Sequence, residues 1–503
     1  FASVLLRTGS ALVAGVLLAL AYAPVGASFL IPFAVAGFVL TTNGLPARRG
    51  WIPGLAFGIG FCYVLMFWMR VVGIDAWLAL SALEASFYAI LGAVAAALSR
   101  LRFAPVWIAC AWVGTEAVRS TWPFGGMPWG RLAFGTAETP WQEALPFVGQ
   151  SGVSLLLALL GCLLAWAVVT TGRARVVSAV AALVVLGASM APALTPYDVP
   201  TDGQRSVAVV QGNVPGDGDD ILLDHRQVTR NHVDATIALA DDVAAGDEAE
   251  PDFVLWPENS TAVDPFADAG VNAAIREASE AVSRPILVGA MVDAGAEHVL
   301  NQGIVWAPGT GAGDRYTKRH PVPFGEYIPW RGVFRSNFGR LALIPRDMRS
   351  GTRVEPIRIA DTAVADAICF DVAYDDGIHA QIREGAQLLV VQTSNAMFIN
   401  TSQIEQQFEI SRLRALETGR YVLVAATNGV SGGVSPDGTV VDRAEPRTQA
   451  VLTEEVGLST AITPAVWLGP WVGRACAGIA VAALCLGLLP YRRRQRRGEE
   501  VQP

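Results

Sequence analysis

Charged residues are scarce in this 503-residue chain: Asp, Glu, Lys and Arg make up 16% of it, whereas hydrophobic residues make up 52% and the mean hydropathy is +0.39. An ordinary soluble domain has about a quarter of its residues charged. The balance therefore excludes that class and predicts a membrane protein that carries an additional polar domain.

Histidine is also rare, with five residues in the chain. His225 and His232 lack the spacing and the carboxylate or thiolate neighbours of a common metal site. The sequence therefore predicts neither a metal centre nor a cofactor.

Cysteine is sparse and unevenly placed. Five of the six cysteines lie in long apolar runs, where a thiol behaves as a small hydrophobe. Cys369 alone lies in the polar part of the chain and has no nearby partner, which excludes a structural disulfide. It is therefore either an inert core thiol or a nucleophile.

Long apolar runs are what the chain does have, and several reach the roughly 20 residues that a membrane-spanning helix needs. They predict about eight spans: Ala11–Pro24, Phe29–Leu40, Trp51–Val72, Trp77–Leu98, Phe103–Val118, Val153–Thr170, Val176–Met190 and Trp467–Leu489. Glu116 and Arg119, one helical turn apart on the fifth predicted helix, either pair with each other and face a polar cavity or simply sit at the helix end.

Arginine placement predicts the orientation of these spans. Basic residues occupy every second connection, as is typical of cytoplasmic loops: Arg7, Arg48 and Arg49, Arg100 and Arg102, Arg173 and Arg175, and Arg492 to Arg497. The terminal run abuts an apolar helix, so it reads as a cytoplasmic anchor and not as a nucleic-acid site.

Three regions follow from this reading. Residues 1–200 form a membrane domain of seven helices, residues 201–463 form an extracytoplasmic domain, and residues 464–503 hold the last span and a basic cytoplasmic tail. The polar block alternates apolar strands with helices at Asp224–Ala245, Ala267–Ser283 and Gln403–Thr418. Near-continuous apolar strands predict an α/β domain whose sheet is buried under helices.

Polar residues follow several of the predicted strands directly. Glu258 follows Leu255-Trp256-Pro257, Cys369 ends the predicted strand Val364–Cys369, and Asn395 follows the predicted strand Leu388–Gln392. Groups at strand ends converge on one crevice in sheets of this kind. Taken alone, Glu258 is better interpreted as a solvated loop residue or a helix cap than as a catalytic group.

Four motifs carry a resemblance to a known family: Leu255-Trp256-Pro257-Glu258, Tyr316-Thr317-Lys318 with the following Arg319–Pro329, Ile368-Cys369-Phe370-Asp371, and Arg412–Glu417. In these motifs the chain resembles the nitrilase superfamily of carbon-nitrogen hydrolases. Within it, the chain is most similar to the membrane branch, the apolipoprotein N-acyltransferases. The resemblance implies a nitrilase-like αββα sandwich between the last two of eight spans.

The resemblance also implies roles for the residues. Cys369 would be the nucleophile, Glu258 the general base and acid, and Lys318 the group that favours the thiolate and stabilises the oxyanion. Glu326 would orient Lys318.

The chain departs from the family pattern in two places. Asp371 stands where a glutamate is usual, and Met397 stands where a tryptophan is usual, within Ser394-Asn395-Ala396-Met397-Phe398. Asp371 would act behind Glu258, Lys318 and Cys369, and Met397 would line an acyl groove. Asn395 and Phe398 would either support these groups or bind substrate.

The implied reaction is N-acylation of the N-terminal S-diacylglyceryl-cysteine of apolipoproteins in the bacterial inner membrane. The acyl chain would come from a phospholipid through a thioester on Cys369, in a ping-pong scheme without a cofactor or nucleic acid. The alternatives are a membrane-anchored nitrilase-type amidase that transfers to water, a transporter or scaffold with an inert outer domain, and a Cys/His site with His320 or His379.

Apolar residues after the lysine motif suggest a lid that keeps water from the thioester. An equally good interpretation is a satellite core beneath a loop. The residues are Trp330, Phe334, Phe338, Leu341, Leu343 and Ile344.

Overall fold

A computed structural model describes residues 2–217, 225–333, 341–342 and 344–498. These residues form two compact units. One runs to Pro196 and resumes at Leu468, and the other is Tyr197–Trp467. The predicted lid residues Phe334, Phe338 and Leu343 lie outside the described residues.

Each of the eight apolar runs falls on a helix of the first unit. The helices are α1 (Ala2–Ala19), α2 (Leu30–Thr42), α3 (Ala47–Leu65), α4 (Ile74–Leu98), α5 (Ala104–Arg119), α6 (Leu145–Val169), α7 (Gly172–Met190) and α13 (Trp471–Gly498). Within the described residues, three helical segments are long and apolar enough to cross a membrane: Ile74–Leu98, Gln142–Val169 and Gly172–Leu194. Shorter apolar helices span Val4–Ala19, Leu30–Thr42 and Trp471–Gly487.

Glycine allows α3 and α4 to pack backbone against backbone. A Cβ built on Gly54 would lie 2.3 Å from the carbonyl oxygen of Tyr88, and one on Gly92 would lie 2.4 Å from that of Gly50. Both distances are far below van der Waals contact. Small residues at such interfaces permit the close packing that replaces the hydrophobic effect between helices in lipid.

A buried ion pair also ties α4 to α5. Arg119 Nη1 lies 2.9 Å from Glu84 Oε2, with both side chains 2% exposed, and it donates to the carbonyl of Met127. Glu116 Oε1 instead accepts from Trp112 Nε1 and from the backbone N–H of Leu132. Arg119 therefore forms its ion pair with Glu84. The alternative predicted from the sequence, a pair between Arg119 and Glu116, is wrong.

Within the described residues of the second unit, thirteen strands form two sheets. The strands are β1 (Gly203–Gln211), β2 (Phe253–Leu255), β3 (Ile286–Asp293), β4 (His298–Ala307), β5 (Gly311–Thr317), β6 (Asp347–Met348), β7 (Ile357–Ile359), β8 (Thr362–Ile368), β9 (Leu388–Thr393), β10 (Val422–Ala426), β11 (Gly432–Val434), β12 (Val440–Arg443) and β13 (Ala450–Leu458). Its helices are α8 (His225–Ala245), α9 (Ala269–Val282), α10 (Asp375–Arg383) and α11 (Ser402–Thr418), and the short α12 (Pro464–Leu468) follows.

The two sheets share a run of three parallel strands with antiparallel strands on either side. The first has the order β13-β1-β2-β3-β4-β5 with β6 beside β4, and the second has the order β12-β11-β10-β9-β8-β7. Strands β1, β2 and β3 are parallel in the first sheet, and β8, β9 and β10 are parallel in the second. Parallel strands bring their carboxyl ends to one edge, where side chains from separate segments meet.

Burial divides the strand residues between two layers. Val209, Leu255, Ile368 and Val390 belong to one core cluster that contains residues of both sheets. Their sequence neighbours Val210 and Val254 pack instead with Ile275 of α9 and other helix residues. With α10 and α11 against the second sheet, the layers are helix, sheet, sheet and helix, which is the nitrilase-like αββα sandwich.

Peripheral strands were the elements that the sequence did not predict. Apart from the buried Tyr316 of β5, the residues of β5 and β12 are half-buried or exposed, and neither strand is continuously apolar. A strand at a sheet edge lacks the two-sided burial that makes a central strand recognisable from its sequence.

We expect Gly54→Val to disrupt the contact between α3 and α4. The new side chain would collide with backbone atoms that cannot move aside, and overpacking typically costs about 1–3 kcal/mol. Thermal unfolding in detergent should show a Tm lower by several degrees. Gly187→Val in α7 is the matched control, because a Cβ there meets nothing within 4 Å; equal effects of the two changes would contradict this packing.

Candidate active site

Cys369 lies where β8 ends in a sharp turn. It begins the 3-10 turn Cys369–Ala373 and has a φ of 54°, in the left-handed region that non-glycine residues rarely adopt. Such strain costs on the order of 1–3 kcal/mol and persists only where the surrounding structure holds it.

Arg414 of α11 provides that support. It is fully buried, and its guanidinium donates to the carbonyl oxygens of Val372 at 2.8 Å and Ala373 at 2.9 Å. Asp375 at 2.9 Å and Glu417 neutralise its charge. The Arg412–Glu417 motif thus fixes the turn that carries Cys369.

Glu258 follows β2 and is 3% exposed. Its Oε1 accepts from Asn301 Nδ2 at 2.7 Å and lies 3.1 Å from Lys318 Nζ, and its Oε2 accepts from the backbone N–H of Ser394 at 2.9 Å. A carboxylate held by three donors has one defined orientation.

Gly289 allows the backbone to approach at this point. A Cβ built there would lie 2.1 Å from the carbonyl oxygen of Pro257 and 2.7 Å from the Cα of Glu258. A larger residue at this position would displace Glu258.

Lys318 lies between two carboxylates and has no exposed surface. Its Nζ is 3.1 Å from Glu258 Oε1 and 2.6 Å from Glu326 Oε1. Burial alone would lower the pKa of Lys318, but the charges of Glu258 and Glu326 outweigh burial and raise the pKa well above its usual value. The lysine is therefore an ammonium at every working pH.

Cys369 is a thiol at rest. Burial, reinforced by the charge of Glu258, raises the pKa of Cys369 to about 12, although Lys318 opposes the rise. The resemblance implied that Lys318 favours the thiolate. Lys318 does lower the pKa of Cys369, but burial and Glu258 together raise it by more. A base must therefore take the proton as the sulfur reacts.

Asp371 lies two residues beyond Cys369 and is 4% exposed. Its carboxylate accepts from the backbone N–H groups of Arg319 at 3.1 Å and His320 at 2.7 Å, and from the Tyr316 hydroxyl at 3.3 Å. It thus links the cysteine turn to the segment that carries Lys318.

Asn395, Met397 and Phe398 are placed differently from one another. Asn395 is buried, and its Nδ2 donates to Gln403 Oε1 at 3.1 Å and Gln407 Oε1 at 3.0 Å. Met397 is 47% exposed and Phe398 is half-buried. The structure brings Asn395 into the hydrogen-bond network beside Cys369, whereas Met397 is a surface residue.

Two residues of this site were not predicted from the sequence. Asn301 in β4 contacts Glu258, and Gln407 in α11 contacts Cys369. A signal was present in each case: an Asn-Gln pair interrupts an apolar strand, and Gln403, Gln406 and Gln407 crowd one helix.

The histidines have other partners. His320 Nε2 lies 2.8 Å from an oxygen of Asp376, and its ring stacks on Tyr374 at 3.8 Å, while His379 faces Glu417. Within the described part of the chain, no group of three or more His, Cys, Asp or Glu residues could hold a metal ion.

Comparison with known proteins identifies the family. Residues 206–463 match the Carbon-nitrogen hydrolase family, and residues 14–163 match the Apolipoprotein N-acyltransferase N-terminal domain. An apolipoprotein N-acyltransferase of Mycolicibacterium smegmatis is 35% identical over 94% of this chain and 84% of its own length. The chain belongs to the apolipoprotein N-acyltransferase family.

A further N-acyltransferase agrees with this family. An apolipoprotein N-acyltransferase of Methylococcus capsulatus is 30% identical over 98% of each chain. Among solved structures, an amidase from Nesterenkonia sp. covers 54% of this chain and 94% of its own, with 15% identity and a TM-score of 0.38. The relationship to the N-acyltransferases thus spans both compact units.

Asp366 is a second buried acid on β8, three residues before Cys369. It has no exposed surface, and neither carboxyl oxygen has a hydrogen-bond partner among the described residues. Its Oδ2 and Gln392 Oε1 lie 2.2 Å and 2.6 Å from the point where a Cβ on Gly303 would be, so both face the space that this glycine leaves. Burial, with Asp371 and Glu258 adding to it, raises the pKa of Asp366 well above its usual value.

We expect Asp366→Asn to stabilise the protein increasingly as pH rises. Above about pH 4 the carboxyl of Asp366 is ionised in the unfolded chain, so folding must return a proton to it. The free energy of unfolding of the wild-type protein therefore falls as pH rises from about 4 towards the pKa of Asp366 in the folded protein. At pH 8 the variant should gain about 1 kcal/mol or more, roughly 2–4 °C in Tm.

The measurement is Tm of the full chain between pH 5 and pH 8. Asp234→Asn, at an exposed position of α8, controls for the loss of one carboxylate. A difference between Asp366→Asn and wild type that stays constant across this range would contradict a neutral Asp366.

Proposed function

We propose that this protein transfers an acyl chain from a phospholipid to the N-terminal amine of an S-diacylglyceryl-cysteine on an apolipoprotein. The observation that carries the proposal is the grouping of Glu258, Lys318 and Cys369 within a carbon-nitrogen hydrolase domain of this family. The names of the relatives supply the acceptor, and the apolar helices favour a lipid donor.

In the first half-reaction, Cys369 Sγ attacks the ester carbonyl while Glu258 takes the thiol proton. Lys318 stabilises the oxyanion, with a backbone N–H near Phe370 as a second donor. As the tetrahedral intermediate collapses, the carbon–oxygen bond breaks and Glu258 returns the proton to the leaving glycerol oxygen. A lysophospholipid leaves, and Cys369 holds the acyl chain as a thioester.

In the second half-reaction, the amine of the lipoprotein attacks the thioester and Glu258 accepts a proton from it. The carbon–sulfur bond breaks, the thiolate takes up that proton, and an amide is released. Because one carboxyl serves as base and acid in both halves, it begins and ends each cycle ionised.

The remaining residues have roles consistent with their contacts. Glu326 holds Lys318 in place, Asp371 anchors the segment behind the lysine, and Asn395 orders the amides beside the sulfur. Met397 and Phe398 would border the acyl chain, together with the exposed Trp330.

The arrangement in the membrane is also part of the proposal. We infer about eight spans, with residues 1–200 and 464–503 in the bilayer and its cytoplasmic flank, and residues 201–463 as the catalytic domain on the extracytoplasmic side of the cell membrane. The support is that arginine recurs in every second connection.

The decisive experiment measures the intact mass of the protein after incubation with phospholipid alone. We expect a fatty-acyl adduct on Cys369 that disappears when a diacylated lipopeptide is added, with the peptide gaining the acyl mass. Cys369→Ala should abolish the adduct, and Glu258→Gln should slow its formation about 10²- to 10⁴-fold. Cys485→Ala is the matched control, because Cys485 is an exposed cysteine of α13.

Other outcomes select the alternatives. Release of free fatty acid without N-acylated peptide would favour a membrane-anchored amidase that uses water. Full function in Cys369→Ala would favour a transporter or scaffold. Absence of any adduct in the wild-type protein would refute the thioester.

A further inference from the structure

The sulfur of Cys369 has a further neighbour, Gln407, which has no role in the proposed half-reactions. Gln407 lies within α11 and is 2% exposed, and its Nε2 is 3.7 Å from Cys369 Sγ, within hydrogen-bond range for sulfur. The Thr393 hydroxyl also faces the sulfur, but its single hydrogen is shared with Asn395 Oδ1 and Gln407 Oε1.

The surroundings determine which end of the Gln407 amide points at the sulfur. Its Oε1 accepts from Asn395 Nδ2 at 3.0 Å and from Gln403 Nε2 at 3.4 Å. Turning the amide over would place its NH₂ group against these two donors and its oxygen against the sulfur. The network therefore favours the orientation in which an N–H points at Cys369.

We propose that Gln407 is a further catalytic residue, whose Nε2–H donates a hydrogen bond to Cys369 Sγ whenever that sulfur carries negative charge. Charge develops there as the thiol loses its proton, and, given the proposed acyl transfer, again when the thioester expels the sulfur. A neutral thiol or thioester sulfur is a weak acceptor, so the bond strengthens mainly in the transition states.

An amide suits this position better than a charged donor. Glu258, Glu326 and Lys318 already crowd the site, and a second ammonium would pair with these carboxylates. Glutamine does not titrate, so its donor is present at every pH. Burial raises the pKa of Cys369 to about 12 and so keeps the sulfur protonated. A hydrogen bond from the amide opposes this rise in pKa.

The test follows alkylation of Cys369 by iodoacetamide in the full-length chain. Cys485→Ala serves as the background because it removes an exposed thiol, and peptide mass spectrometry assigns the adduct. Gln407→Met keeps the length of the side chain and removes the donor. Losing a hydrogen bond to a charged atom should raise the apparent pKa of the thiol by about one to two units.

Alkylation at pH 7–8 should then slow roughly 3- to 10-fold, since a more basic thiolate is also a better nucleophile and recovers part of the loss. Gln449→Met is the matched control, because Gln449 is an exposed residue whose amide donates to the backbone of Asn231. A wild-type alkylation rate in Gln407→Met would overturn the proposal.

A second variant covers the case in which Gln407→Met does not fold. Gln407→Glu has the same shape and replaces the donor with a carboxylate, which should slow alkylation more than methionine does. If Gln407→Glu reacts at the wild-type rate, Gln407 has no role at the sulfur.

Alkylation needs no lipid, so this result is independent of the proposed function. Slower alkylation in a protein that forms no acyl adduct would support Gln407 while refuting the acyl transfer. Acyl transfer at the wild-type kcat in Gln407→Met would refute Gln407 while leaving acyl transfer intact; we expect kcat to fall about 10-fold or more with little change in KM.

Discussion

The site depends on one buried cation. Removing an ammonium from water costs several kcal/mol, and Lys318, with no exposed surface, recovers this only through close carboxylates. Glu258 and Glu326 provide them from two segments, one after β2 and one in the loop that follows β5. The lysine thus brings distant parts of the chain together.

The two carboxylates around this cation accept further hydrogen bonds. Asn301 and the backbone N–H of Ser394 serve Glu258, and the backbone N–H of Val322 serves Glu326 at 2.8 Å. Burial, reinforced by the charge of Glu258, raises the pKa of the nearby Cys369 thiol, so the proposed reaction would need both a base and donors at the sulfur.

Central strands and charged motifs were the features that could be predicted from the sequence. Two-sided burial makes β8 and β9 continuously apolar, and the lysine motif is long enough to be distinctive. Partners contributed by side-chain amides were missed, since Asn301 and Gln407 look like ordinary polar residues until the fold brings them to Glu258 and Cys369. The Glu84–Arg119 pair was missed for a similar reason, because it joins residues 35 apart on two helices.

The two departures from the family pattern have different physical consequences. Asp371 is buried and is bonded to the backbone N–H groups that follow Lys318, so its shorter side chain acts on the distance between the cysteine turn and the lysine segment. Met397 is largely exposed, and its unbranched side chain adapts to whatever lies against it. A change at position 371 would therefore alter the distance between the cysteine turn and the segment that carries Lys318. A change at position 397 would alter only an exposed surface.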